Sequence, residues 1–170
     1  LVGAMNPCRC GYFGHPTHPC TCTPQDVKRY ISRISGPLLD RIDIEVELPS
    51  ISYDELAATG ATGETSDAIR ARVVRARKFA AARMSGEPGI FCNAQLDAAG
   101  IRKYCIADDA AGAMLRAAYD RMGLSARGYD RIMRVARTIA DLAGEEKITG
   151  ACVAEALQYR SLDSKYWSKL

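Results

Sequence analysis

The segment SARGYDRIMRVARTIADLAG, residues 125–144, decides the fold of the larger part of this chain. Its apolar residues recur every three or four positions, at Ile132, Val135, Ile139 and Leu142. This spacing places them on one face of an α-helix. Ser125 is a favoured N-cap residue, and Gly144 is a favoured residue just past a helix C-terminus. The segment therefore predicts a long amphipathic helix with one face in a core.

Helices are also predicted on both sides of this segment. Apolar residues recur at helical spacing in residues 66–85 and 108–122. A last helix is expected to begin after Thr149 and to end at about Tyr159. The predicted buried stripes are Ile69, Val73, Ala76 and Ala80 in the first helix and Ala110, Met114, Ala117 and Ala118 in the second. Together these patterns predict an all-α bundle of four to five helices.

The N-terminal part of the chain has a different pattern. LVGAM, residues 1–5, is a short apolar run typical of a buried strand, and a helix end is the alternative for a run of five residues. IDIEVEL, residues 42–48, alternates apolar and acidic residues as an edge strand does. Between them, Thr23 and Asp26 predict the capped start of a helix that ends at Gly36. This part is therefore expected to be a small piece of α/β structure.

The chain as a whole is predicted to be mainly α. Residues 1–50 are assigned to the α/β part and residues 66–170 to the helical domain. Residues 51–65, rich in Ser, Thr, Gly and Ala, form a linker with at most one short turn of helix. A hydrophobic fraction of 48%, 25% charged residues and a net charge of +3 are typical of a soluble globular protein. No window approaches the roughly 18 apolar residues of a membrane span, so no membrane partner and a cytoplasmic location are expected.

The segment NPCRCGYFGHPTHPCTC, residues 6–22, contains four of the seven cysteines and both histidines. Its cysteines form two closely spaced pairs, Cys8, Cys10, Cys20 and Cys22. Four thiolates are the ligand set of structural Zn²⁺ sites, and disulfides are the poorer explanation in a cytosolic protein. Two alternatives remain open: His15 or His18 replaces one cysteine, or the thiols are free. The other cysteines are expected to be small apolar filler, at Cys92, Cys105 and Cys152.

Three segments in order carry a resemblance to a known family: GAMNPC, SGPLLDRIDIEVELP and SARGYDRIMRVARTIADL. They resemble the C-terminal half of the magnesium-chelatase-like AAA+ ATPases, specifically the ComM (YifB) group of competence proteins. The resemblance spans nearly all of the chain. It implies that the chain begins with the end of the AAA+ α/β core and continues into a helical lid. The core part would consist of a sensor-1 strand, the loop of residues 6–22 (the cysteine loop), an arginine-finger helix and a last strand. Arg9 departs from the family pattern, because proline is expected between the paired cysteines.

By this resemblance Asn6 falls at the sensor-1 position, Arg41 at the arginine finger and Arg127 at sensor 2. A neutral amide suits a γ-phosphate and an attacking water, and an arginine finger supplied in trans is worth about 10³ to 10⁵ in rate. Arg127 follows a predicted N-cap, where phosphate oxygens are favoured. Without the resemblance the simpler interpretations are a turn at Asn6, an ion pair of Arg41 with Asp40 or Asp43, and a solvated basic stripe of Arg127, Arg131 and Arg134.

The chain has no phosphate loop of the form G-x-x-x-x-G-K-[ST]. In the family this loop, the Mg²⁺-binding acid and the strand between the two predicted strands lie upstream. We therefore expect the chain alone not to hydrolyse ATP, and residues 1–48 to be partly disordered, re-paired or swapped between chains.

For the full-length protein the resemblance implies ATP and Mg²⁺ as cofactors and a hexameric ring. The ring would act as a branch-migration helicase on single-stranded or branched DNA in natural transformation. The helix predicted over residues 66–85 would be the first of the helical lid. Its basic residues suit either contacts to DNA phosphates or an ordinary solvent-exposed face. There are six of them: Arg70, Arg72, Arg75, Arg77, Lys78 and Arg83. The alternatives are an ATPase subunit that inserts a metal into a porphyrin, and a zinc-organised helical interaction module.

Overall fold

The computed structural model describes residues 2–39, 41–57 and 63–160. These residues fall into two compact units. We call the described residues up to 57, with Arg160, the cysteine unit, and residues 63–159 the helical unit. The predicted linker at 51–65 and the predicted helical domain at 66–170 both extend beyond the described residues.

The cysteine unit contains three short helices, α1 (Pro24–Ile31), α2 (Gly36–Leu39) and α3 (Tyr53–Ala57). The predicted capping box at the start of α1 is confirmed. The Thr23 hydroxyl accepts the Asp26 backbone N–H at 3.2 Å, and the Asp26 carboxylate accepts the Thr23 backbone N–H at 3.3 Å. The prediction that this helix continues to Gly36 is wrong. Two serines follow Ile31 in the sequence, and serine side chains favour turns over helix interiors.

Neither predicted strand is formed in the described part of the cysteine unit. Residues 2–5 are exposed, and neither they nor residues 42–48 form a β-ladder with other described residues. Val46 and Leu48 are 60% and 85% exposed. An alternating pattern marks residues that suit the two faces of a sheet, but a strand also needs a neighbour that supplies hydrogen bonds. The described residues offer no such neighbour.

The helical unit contains five α-helices and one 3₁₀ turn at Asn93–Gln95. The helices are α4 (Ser66–Arg83), α5 (Ala98–Tyr104), α6 (Asp109–Met122), α7 (Ala126–Ala143) and α8 (Gly150–Gln158). Both predicted ends of α7 are confirmed. The Ser125 hydroxyl accepts the Gly128 N–H at 3.0 Å, and Gly144 ends the helix in the left-handed conformation with φ 76°. The mainly helical fold class and the bundle of four to five helices are thus confirmed.

Helix α7 lies at the centre of the bundle and packs against α4, α5, α8 and the 3₁₀ turn. Its face includes Ile132, Met133, Ala136 and Ala140, all at most 3% exposed. Cys105 and Cys152 are buried in the same core, as predicted, whereas Cys92 is exposed. One parallel bridge between Ala107 and Ile148 ties the segments before α6 and α8 together.

Two predicted buried stripes need correction. In α6 the buried residues are Ala111, Leu115 and Ala118, while the predicted Ala110, Met114 and Ala117 are exposed. Alanine occurs on every side of α6, so helical periodicity alone does not fix which face packs inward. In α4 only two of the four predicted residues are buried, Ala76 and Ala80, and the other two, Ile69 and Val73, are 42% and 40% exposed.

A buried ionic network joins α4, α7 and the 3₁₀ turn. The carboxylate of Asp141 accepts hydrogen bonds from Arg83 at 2.6 and 2.8 Å, from Arg137 at 3.1 Å and from Asn93 at 2.7 Å. Arg137 is fully buried and also donates to the backbone carbonyls of residues 145 and 146. Arg83 is therefore part of the core network and not of a free basic face.

Among the described residues, no helix is both long enough and apolar enough to cross a membrane.

Candidate metal centre

The sulphur atoms of four cysteines lie together in the cysteine unit. The Sγ atom of Cys8 is 3.3 Å from that of Cys10 and 3.7 Å from that of Cys20, and the Cys10 and Cys20 sulphurs are 3.5 Å apart. With Cys22 included, all four sulphurs lie within 4.8 Å of one another. Zn–S bonds of about 2.3 Å in a tetrahedron place sulphurs about 3.8 Å apart. The four side chains therefore have the spacing of one tetrahedral Zn²⁺ site.

Helix α1 forms the support of this cluster. Cys8 is fully buried against Val27 and Ile31, which lie one turn apart on the same face of α1. The other three cysteines and Tyr30 pack partly buried against this small core. The capping box at Thr23 fixes the start of α1 directly after Cys22. The second cysteine pair is thus joined directly to the capped start of the supporting helix.

Backbone N–H groups point at the sulphurs and set their acidity. The N–H of Tyr12, aided by that of Thr21 and by the neighbouring thiols, lowers the pKa of Cys10 to about 5. The Cys22 N–H lowers the pKa of Cys20, but burial and the neighbouring Cys10 and Cys8 outweigh it and raise this pKa to about 12. The Cys10 N–H lowers the pKa of Cys22, but burial and the neighbouring Cys10 and Cys8 outweigh it and raise this pKa as well. A thiolate at Cys10 therefore disfavours further thiolates at Cys20 and Cys22. A divalent cation would remove this repulsion, so metal binding would release protons.

One ring nitrogen of His15 is engaged by the backbone of its own loop. The Nδ1 atom of His15 accepts backbone N–H groups of Thr17 at 3.2 Å and of His18 at 3.1 Å. The residues described here contain one cluster of candidate metal ligands, and it consists of the four cysteines alone. This arrangement favours the four-cysteine set over the alternative with one histidine. With four protein ligands the site has no open position, which is typical of a structural metal.

The other predicted site residues are found as follows. Asn6 is exposed at the start of the cysteine loop, and a Cβ atom on Gly11 would lie 3.7 Å from its Nδ2 atom. Arg41 is exposed in the turn after α2, and its backbone N–H donates to the carbonyl of Leu38 at 2.9 Å. Asp40, one of its two predicted ion-pair partners, lies outside the described residues.

Arg127 is exposed at the second position of α7, as the N-cap at Ser125 predicts. The solvated stripe expected to continue from it is wrong. Arg131 is 8% exposed, and Arg134 donates from Nε to the carbonyl of Leu96 at 2.9 Å. Of the three arginines, only Arg127 is thus open to a phosphate from outside the unit.

Two features of the site were not predicted from sequence. The N–H groups that point at the sulphurs belong to residues such as Tyr12, whose side chains gave no signal of this role. The other feature is a cluster of aromatic rings from Tyr12, His15 and His18. Its signal was present in the sequence, because both histidines and two aromatic residues lie between the cysteine pairs.

Both units match models of one protein family. Residues 63–160 match the family model described as magnesium chelatase, subunit ChlI C-terminal. Residues 1–56 match the model described as magnesium chelatase, subunit ChlI. The first match alone covers more than half of the chain, and it coincides with the helical unit.

Curated relatives agree with these matches over almost the whole chain. The competence protein ComM of Haemophilus influenzae is 41% identical over 162 residues, which is 95% of this chain and 30% of that protein. The uncharacterized protein YifB of Escherichia coli is 37% identical over 164 residues, 96% of this chain and 31% of that protein. The chain thus spans a little under one third of the length of these relatives. It belongs to the magnesium chelatase subunit ChlI family, and within it to the ComM/YifB-like group.

Proposed function

We propose that this chain is the C-terminal part of an AAA+ ATPase subunit, and that such subunits assemble into a ring that acts on DNA. In this proposal Asn6 and Arg127 contact bound nucleotide, and Arg41 reaches the nucleotide of the neighbouring subunit. ATP and Mg²⁺ are the cofactors, and the residues that grip the β- and γ-phosphates come from the rest of the full-length protein. Family membership supports the AAA+ ATPase, and the exposed position of Arg41 carries the assignment of its role.

Arg41 stands at a corner that is fixed on both sides. Leu39 before it is buried, and the backbone N–H of Ile42 after it donates to the Leu39 carbonyl at 2.9 Å. The Ile42 carbonyl in turn accepts a hydrogen bond from Arg160 at 2.9 Å. A guanidinium held outward by a short, pinned turn is suited to stabilise charge that develops on a phosphoryl group bound elsewhere.

Arg127 has the chemistry of a phosphate contact within its own subunit. It lies in the first turn of α7, an 18-residue helix whose dipole favours an anion at this end. The side chains that follow it on the same helix, Arg131 and Arg134, are engaged in the unit. A nucleotide phosphate would therefore meet one exposed arginine and the helix N-terminus together.

Two observations support DNA as the molecule on which the ATPase acts. The relative from Haemophilus influenzae is named a competence protein, and competence is the uptake of DNA. In this chain α4 presents exposed cations at Arg75, Arg77 and Lys78. The other three basic residues of α4 are in ion pairs, Arg70 with Asp67 at 3.5 Å, Arg72 with Glu64 at 2.8 Å and Arg83 with Asp141 at 2.6 Å. Three cations on one helix provide a modest, salt-sensitive contact to phosphates.

The cysteine cluster is proposed to hold one structural Zn²⁺. The fit of the four sulphurs to a tetrahedral site supports this assignment. When bound, the ion would supply folding energy to the loop and no catalytic chemistry, since all four positions are taken by protein.

The test of the proposed function uses the natural full-length protein. Replacing Arg41 by alanine should reduce ATP turnover by about 10³-fold or more, because transition-state charge is left unpaired. Binding of a fluorescent ATP analogue should stay within a few-fold of that of the unaltered protein. Arg33→Ala is the matched control, since Arg33 is also an exposed arginine of the cysteine unit.

The outcomes separate the alternatives. Unchanged turnover in Arg41→Ala, or loss of nucleotide binding together with turnover, would remove the arginine-finger role. Turnover that is stimulated by branched DNA supports a DNA motor. Turnover that is indifferent to DNA but stimulated by a porphyrin would favour the metal-insertion alternative.

A further inference from the structure

The tip of the cysteine loop exposes a compact group of aromatic rings. The rings of Tyr12 and His18 have centroids 5.2 Å apart and are tilted by 47°, and those of Tyr12 and His15 are 5.6 Å apart in an edge-to-face arrangement. The two histidine rings are 4.9 Å apart. Phe13 follows Tyr12 directly, and these two side chains are 41% and 43% exposed. Three exposed rings, Tyr12, Phe13 and His18, and the half-buried ring of His15 thus lie within seven residues.

These rings do not serve the small core of the cysteine unit. That core consists of Cys8, Val27 and Ile31, with Tyr30 and the other three cysteines packed around it. Tyr12 and Phe13 lie outside this cluster. Large aromatic side chains left outside a core this small forgo a substantial hydrophobic gain on folding. Their exposure therefore calls for a role at the surface.

The loop that presents the rings is conformationally restricted. Gly11 and Gly14 adopt positive φ values of 88° and 79° on either side of Tyr12 and Phe13. The Gly11 N–H donates to the Cys8 carbonyl at 3.2 Å, and the His15 N–H donates to the Tyr12 carbonyl at 3.0 Å. Tyr12 is also tied to the cysteine cluster, because its own N–H points at Cys10. A ring platform ordered before binding loses little conformational entropy when it takes a ligand.

The cysteine loop and α1 together are close to electrically neutral. Within residues 2–39 the cations are Arg9, Lys28, Arg29 and Arg33, against the single acid Asp26. A Zn²⁺ ion with four thiolates has a formal charge of −2, which leaves a small positive excess of one. Phosphate attraction is therefore weak here, and any nucleic acid would have to be held mainly by contacts to its bases.

We propose that Tyr12, Phe13, His15 and His18 form a stacking platform for the unpaired bases of single-stranded DNA. Every base has a π-face, so such a platform works without sequence readout. This inference rests on the proposed function only in its choice of DNA as the ligand. It assigns the cysteine loop a contact with the strand, in addition to the structural role of the metal.

The experiment measures the binding of a fluorescently labelled oligodeoxythymidine to the zinc-loaded full chain by anisotropy. Tyr12→Ala should raise Kd about fivefold or more, since one base stack is lost. Tyr12→Phe keeps the ring and should stay within about twofold of the unaltered chain. Tyr53→Ala removes a tyrosine that is 80% exposed on α3 and should have no effect. Cobalt(II) substitution, read by its thiolate absorption, shows that each variant retains the folded loop.

Salt dependence separates this platform from the basic face of α4. Stacking gives a shallow fall of affinity with salt, whereas contacts of Arg75, Arg77 and Lys78 to phosphates give a steep one. In Arg75→Ala/Arg77→Ala, the Tyr12→Ala effect should persist in full. Equal binding by Tyr12→Ala and the unaltered chain, with the cobalt spectrum intact, would overturn the platform. No binding of the oligonucleotide by the zinc-loaded chain would overturn it as well.

Failure of the platform and failure of the proposed function are distinguishable. DNA-stimulated turnover by a full-length Tyr12→Ala protein at the unaltered rate and DNA affinity would overturn the platform alone. Tyr12-dependent binding of the oligonucleotide in a protein whose turnover ignores DNA would support the platform and count against the motor.

Discussion

The interactions that stabilise the cysteine unit differ from those that stabilise the helical unit. In the helical unit, sixteen buried apolar residues form one cluster around α7. In the described part of the cysteine unit, the corresponding cluster has three residues, Cys8, Val27 and Ile31. Burial of a few side chains, each worth about 1.5–3 kcal/mol, does not offset the entropy of ordering a loop this long. The difference predicts that the cysteine unit needs a metal for its order and that the helical unit does not.

Removing the metal should have the largest effect, and it should be confined to one unit. Structural Zn²⁺ sites supply about 10–16 kcal/mol of apparent binding energy in small domains, so the loop should lose its order when a chelator takes the ion. Amide signals of residues 6–31 should collapse in ¹H–¹⁵N NMR spectra, while those of α7 keep their positions. Cys20→Ser should reproduce this result without a chelator.

Cys92→Ser is the matched control for that variant. Cys92 is an exposed thiol in the helical unit and is not among the clustered cysteines. This control should bind one metal per chain and keep every signal of the loop. A metal-free chain in which residues 6–31 retain dispersed signals would show that burial and capping suffice after all.

The next largest effect is expected inside the helical unit, at Asp141. Its carboxylate is the shared partner of Arg83 and of the fully buried Arg137. Removing one member of a buried ionic group costs about 3–5 kcal/mol, because the remaining charge is left without a counterion. Asp141→Ala should lower the free energy of unfolding by that amount, measured by urea denaturation followed by helix circular dichroism.

Two comparisons make this result specific. Asp120→Ala removes an exposed aspartate of α6 and should change the unfolding free energy by less than about 0.5 kcal/mol. Asp141→Ala should leave metal stoichiometry at the cysteines unchanged. If Asp141→Ala were as stable as Asp120→Ala, the network would contribute nothing and the apolar cluster alone would hold the helical unit.

The two units also differ in how far their sequences predict them. In the helical unit the ends of α7 follow from Ser125 and Gly144, because caps are local and act within a few residues. The buried face of α6 did not follow, since its alanines look alike from every side and only packing against α8 selects Ala111 and Leu115. The pairing of Arg83 with Asp141 spans 58 positions and has no local signal.

In the cysteine unit a contact between distant residues was predicted, whereas the predicted strands were not found. The two cysteine pairs predict that their sulphurs meet, because the spacing itself is the signal and little packing is involved. The strands predicted at residues 1–5 and 42–48 are not formed among the described residues, because no neighbouring strand is present there to pair with them. Their pattern specifies an extended backbone, but the hydrogen-bonding neighbour is not among the described residues. Site residues named from family resemblance, such as Arg41, stay predictions until their partners are present.

The smallest effect, a matched pair of helix caps, gives the finest comparison between the units. The Thr23 hydroxyl accepts the Asp26 N–H at 3.2 Å, and the Ser125 hydroxyl accepts the Gly128 N–H at 3.0 Å. Each cap is worth about 1 kcal/mol. In Ser125→Ala this should appear directly as lower stability of the helical unit. In Thr23→Ala the same loss of free energy should weaken metal binding about fivefold in a competition titration. The reason is that the cysteine unit is expected to fold only when it binds the metal. A Thr23→Ala chain with unaltered affinity would mean that α1 forms independently of the metal.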